Sequence, residues 1–93
     1  MSRAFVKEDE GDREPVARYE LPPREHPGYD EAAAWALLEG ANRGDTAGAE
    51  AATGYRWGEP ALRPQVNRIL EHARSRQNDR LEQLAERFLE SAD

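Results

Sequence analysis

Apolar residues recur three and four positions apart in three stretches of this chain, the spacing that turns one face of a helix inward. The first stretch holds Ala34, Trp35, Leu37, Leu38 and Ala41; the second Leu62, Val66, Ile69, Leu70 and Ala73; the third Leu81, Leu84, Ala85, Phe88 and Leu89. Beyond the first 28 residues nothing alternates in the manner of a half-buried strand. The signals at the ends of these stretches set approximate bounds. Asp30 is a suitable N-cap for the first helix, with Tyr29 where a hydrophobic staple sits and Glu31 favoured by the helix dipole. Gly44 suits the position just past its end, although Gly40 could close it a turn earlier. Asp45 or Thr46 can cap a short alanine-rich helix that Gly54 closes, and residues 55–60 form an aromatic-bearing turn. Pro64 belongs in the first turn of the next helix, which starts near Arg63, and Pro60 in the turn before it.

Between the second and third stripes lies Arg74-Ser75-Arg76-Gln77-Asn78-Asp79-Arg80, which has no apolar member. Either one helix of about 28 residues, ~42 Å long, runs through it, or two helices meet in a turn at residues 77–79. Asp79 followed by Glu82 has capping-box spacing and favours the break. Residues 1–28 read differently. They carry the charged run Glu8-Asp9-Glu10-Gly11-Asp12-Arg13-Glu14 and Pro15, Pro22, Pro23 and Pro27, a composition that opposes a stable helix. Phe5, Val6, Val16, Tyr19 and Leu21 interrupt the polarity, so parts of this arm dock on the body or on a partner, or the arm is solvated throughout. The expected fold is all-α: a small helical bundle (residues 29–93) with an extended N-terminal arm (residues 1–28).

Composition narrows the function. Ninety-three residues, 38% of them apolar and many of those alanine, give a thin core relative to the entropy of ordering the chain. Such chains often associate, so a homodimer or a larger protein partner is expected. The net charge is −6, with arginines interspersed among glutamates and Lys7 the only lysine. A protein that neutralises phosphates carries a basic patch, so direct nucleic-acid binding is not expected. No apolar run nears the ~20 residues that span a bilayer, the opening residues lack the apolar core of a signal peptide, and there is no cysteine. A cytoplasmic protein is the expectation.

Little in the chain suggests chemistry. His26 lies beside a proline and His72 in a polar stretch, neither in a metal-ligand spacing. Glu86 and Glu90 share a helix face, as solvated surface carboxylates often do. Ser2, Ser75 and Ser91 have no nucleophile elbow, and the three glycines at 44, 48 and 54 lack the strand and lysine of a phosphate loop. Arg43-Gly44-Asp45 spells an adhesion motif by chance. No catalytic residue, cofactor or metal site is assigned, and the chain is read as a non-enzyme. In a small domain two tryptophans are core residues by default. Trp57, in a turn between glycine and proline, can cap the core and still present its N–H to a partner.

The opening Met1-Ser2-Arg3-Ala4-Phe5-Val6-Lys7-Glu8, with the acidic run after it and Glu25-His26-Pro27-Gly28-Tyr29, resembles the leader of some bacterial GreA/GreB-family elongation-factor homologues. That resemblance implies a cytoplasmic protein that binds RNA polymerase and presents an acidic-tipped helical hairpin to its secondary channel. Gly44-Asp45 would match the start of the family's hairpin tip, with Asp45 in the place of an acid that helps hold magnesium, and a one-residue gap would bring Glu50 to the next acid. The partner-binding residues expected are Phe5, Val6, Asp45, Glu50, Tyr55 and Trp57. The expected function is that of a small acidic, non-catalytic regulator bound to the transcription machinery. The alternative is a helical interaction or oligomerisation module with an unrelated protein partner.

Overall fold

The computed structural model describes residues 19–93. Four helices follow in order, α1 (Tyr29–Asn42), α2 (Thr46–Thr53), α3 (Arg63–Ser75) and α4 (Asp79–Ser91), with a short 3-10 turn (Pro60–Leu62) leading into α3. There is no strand among the described residues, so this part of the chain is all-α. The α1–α2 pair packs as one helical hairpin and the α3–α4 pair as another, and α1 lies against both α3 and α4. Phe88, Leu37, Leu38, Leu62, Ile69 and Val66 fill the centre, each with almost no exposed surface.

α1 begins two residues earlier than its sequence suggests. Asp30 is not its cap. Gly28 holds that position without a side-chain bond, and Asp30 sits in the first turn with Glu31. Tertiary bonds explain the shift. The Tyr29 ring is buried and its hydroxyl donates to the Thr53 carbonyl at 2.7 Å, while the Asp30 carboxylate accepts from the Tyr55 hydroxyl at 2.7 Å. The Asp30 carboxylate is turned toward Tyr55 and makes no bond to the helix's first amides. Asp30 still favours the N-terminal dipole.

Gly40 does not close α1; it lies buried inside it. A Cβ there would stand 2.6 Å from the Ala49 Cβ and 2.9 Å from the Asp45 carbonyl oxygen, so the missing side chain is what lets α2 cross α1 closely. The helix ends at Asn42, and Gly44 follows with φ +76°, the left-handed conformation glycine adopts without penalty. α2 runs from its cap at Asp45 to Gly54 (φ +80°). Thr53 is fully buried at its end, with Oγ1 donating to the Ala49 carbonyl and accepting from the Tyr55 amide.

The C-terminal stretch is two helices. α3 ends at Ser75 and Gln77 takes φ 57°, while the amides of Gln77 and Asn78 reach back to the carbonyls of Arg74 and Ala73, the double bond of a Schellman turn. The cap of α4 is Asn78, whose Oδ1 accepts from the Leu81 amide at 3.2 Å. Asp79, the residue with capping-box spacing, is instead the first residue of the helix, because the reversal at Gln77 is complete one residue before it.

Of the arm, Tyr19 is buried and Leu21 packs against the core. The Tyr19 hydroxyl donates to the Asp45 carboxylate at 2.9 Å, which ties the arm's last residues to the α1–α2 turn.

Candidate binding groove

Trp35 departs from the expectation that both tryptophans are core. It is 37% exposed, the one large apolar side chain so placed among the described residues. Its angular position explains this. Ala34, Leu37, Leu38 and Ala41 fall within one inward sector of α1, and at about 100° per residue Trp35 lies roughly 60° outside that sector. Its ring meets the His72 ring edge-on at 5.9 Å on one side and borders a concavity of about 380 Å³ on the other.

That concavity lies between the C-terminal half of α1 and the start of α4, with Leu38, Leu81 and Leu84 among its walls. A second, of about 390 Å³, adjoins it at Arg80 and Leu84 and reaches Trp57. Together they form a groove with a tryptophan at each end. Trp57 is half-buried, its ring edge-on to Phe88 at 5.0 Å. Its turn is pinned from two sides. The Trp57 amide donates to the Glu50 carboxylate at 2.7 Å, and Gly58 (φ +83°) lies so near α4 that a Cβ would come within 2.7 Å of the Ser91 Cβ.

Charge along the groove runs against that of the chain. Arg80 Nε donates to Asn42 Oδ1 at 2.9 Å, a bridge between α4 and α1, and leaves the rest of its guanidinium to solvent. Arg87 lies further along the groove and makes no ion pair among the described residues. The acid on the rim, Glu39, is paired with Arg43. Two arginines therefore face solvent beside an apolar floor in a protein of net charge −6.

The six residues expected to bind a partner are not gathered into one place. Phe5 and Val6 lie outside the described residues. Asp45 holds the N-cap position of α2 without a side-chain bond to its amides and accepts from Tyr19; Glu50 holds the Trp57 amide; Tyr55 donates to Asp30 and packs near Tyr29, ring centroids 6.4 Å apart. Each of these three polar side chains joins elements of the fold. The bond to Asp30, then burial, then the Asp30 charge raise the Tyr55 hydroxyl above the usual phenol range. Trp57 alone of the six lines the groove. Trp35, Leu81, Arg80 and Arg87 were missed. The signal that could have found Trp35 was its place outside the inward sector of the α1 stripe, whereas Arg80 and Arg87 gain meaning only once α4 lies beside α1.

Among the described residues no group of three or more histidines, aspartates and glutamates could hold a metal ion, and no helix is long and apolar enough to cross a membrane. The Nδ1 of His26 accepts from the Gly28 amide at 2.8 Å, which fixes the turn before α1.

No family model, curated protein or solved structure matches this chain. The functional reading therefore rests on the groove.

Proposed function

We propose that this chain is a non-catalytic binding protein that takes a segment of a partner polypeptide into the groove between Trp35 and Trp57. The observation that carries the reading is Trp35 itself. A ring with more than a third of its surface in water, beside an apolar floor and solvent-facing guanidinium groups, has the composition of an interface centre, where tryptophan and arginine are enriched. The other notable polar side chains, Tyr19, Asp30, Asp45, Glu50, Thr53 and Tyr55, bond to one another or to backbone, which supports a structural role for them over a chemical one.

RNA polymerase is the partner this reading names first, on the resemblance of the opening residues and on Gly44-Asp45 standing in the turn between two helices. A second reading, an unrelated protein partner or a second copy of the chain, is favoured by the length of α1. Fourteen residues make about 21 Å, and its face is buried against α3 and α4 rather than extended into an arm.

Affinity capture from native lysate with the parent chain and with Trp35→Ala tests both. Recovery of polymerase subunits by the parent and their loss with Trp35→Ala supports the first reading, and recovery of one different protein with the same dependence supports the second. Equal recovery by both chains overturns the groove as the binding surface.

A further inference from the structure

The chemistry of the groove specifies its occupant. Its floor is leucine and its ends are tryptophan, so the occupant carries apolar anchors. Arg80 keeps only one bond to protein and Arg87 has no ion pair among the described residues, so the occupant carries carboxylates next to those anchors. A second copy packed groove to groove fits poorly, because a two-fold interface brings the same patch of both molecules together and would set Arg80 and Arg87 against their equivalents.

One segment of this chain has the required pattern. Phe5 and Val6 are followed, after Lys7, by Glu8, Asp9, Glu10 and Asp12. The chain outside the described residues joins the body at Tyr19. Tyr19, Trp35 and Glu39 line a shallow pocket on the opposite side of the ridge that Trp35 and Glu39 make along α1, so the preceding chain meets the body next to the groove. The fourteen residues from Phe5 to Tyr19 can span up to about 46 Å, more than twice the ~21 Å length of α1. A tether of this kind supplies an effective concentration on the order of millimolar.

We propose that residues 5–12 of this chain dock in the Trp35–Trp57 groove in cis, with Phe5 and Val6 on its apolar floor and the acidic run against Arg80 and Arg87. This rests on the same groove as the binding reading and adds its regulation: a partner must displace the arm, and only one that is itself apolar and acidic competes well.

The test needs no partner, so its outcome is separate from that of the lysate capture. The chain has no cysteine, so Ala4→Cys provides a single thiol for a nitroxide label on the 93-residue chain. Docking in cis predicts that the Trp35 indole and the Leu81 and Leu84 methyl signals lose most of their intensity relative to the reduced label. Asn67 and Leu89, on another face, keep theirs. The loss should persist on tenfold dilution and be reversed by Arg80→Glu with Arg87→Glu. It should also be reversed by Glu8→Lys with Glu10→Lys, which leaves the helical body untouched. Full groove intensities in the labelled parent overturn the proposal, as does a loss that both charge-reversed chains retain. A loss that disappears on dilution overturns it too, and assigns the groove to the arm of a second copy.

Discussion

Phe88→Ala is the perturbation to which this fold should be most sensitive. Phe88 is fully buried at the centre of α4, its ring edge-on to Trp57, and the Trp57 turn is held there by Glu50 and by the close approach of Gly58 to Ser91. Those restraints limit collapse into the space the ring would leave, which places the cost in the usual range of about 3–5 kcal/mol for truncating a buried phenylalanine. The edge-on pair contributes roughly 0.5–1.5 kcal/mol of its own. A small domain holds only about 5–15 kcal/mol in total, and each kcal/mol moves the melting temperature of a 60–100-residue domain by roughly 4–8 °C. Phe88→Ala should therefore melt about 12–40 °C below the parent, or be unfolded at room temperature. Glu90→Ala, exposed two residues further on, should change stability by less than about 0.5 kcal/mol. Thermal melts followed by circular dichroism at two protein concentrations supply the comparison. A Phe88→Ala protein that melts within a few degrees of the parent at both would refute the packing described for α4 and the Trp57 turn.

Three further substitutions probe other parts of the fold. Gln77→Gly should raise stability by roughly 0.5–1 kcal/mol, because φ 57° costs an L-residue about 1–2 kcal/mol and glycine's looser unfolded chain returns part of the gain; denaturant titration reads it. Gly40→Ala should destabilise by about 1–3 kcal/mol, since its new methyl meets Ala49 and the Asp45 carbonyl, and a neutral result would mean α1 and α2 cross less closely. Tyr55→Phe should cost about 0.5–1.5 kcal/mol near neutral pH through loss of the bond to Asp30. Because the fold raises the Tyr55 pKa, its contribution is present below the unfolded phenol value of about 10 and is lost as pH rises through the higher folded value. The difference between parent and Tyr55→Phe in alkaline denaturant titrations should shrink accordingly.

The helices were legible wherever an end is decided by backbone conformation. Gly44 and Gly54 take positive φ, Pro64 opens α3, and the apolar gap after Arg74 is a true break. What was not legible depends on residues far apart in the chain. Asp30 looked like a cap because its claim by Tyr55, twenty-five residues on, leaves no mark in local sequence. Gly40 looked like a stop because nothing nearby announces that α2 will cross there. The groove belongs to the same class: Asn42 and Arg80 meet across 38 positions, and neither is unusual until they do.

The bonds that tie Tyr29 to Thr53 and Asp30 to Tyr55 close the first helical pair upon itself, and Phe88 and Trp57 with Arg80 and Asn42 join it to the second. The two pairs share one core, since α1 packs on both α3 and α4, so the joint between them opens only when that core loosens, an event that hydrogen exchange detects. The groove lies along the joint between the two pairs. Anything bound there holds both, so occupancy should register as slower exchange in α1 and α4 together.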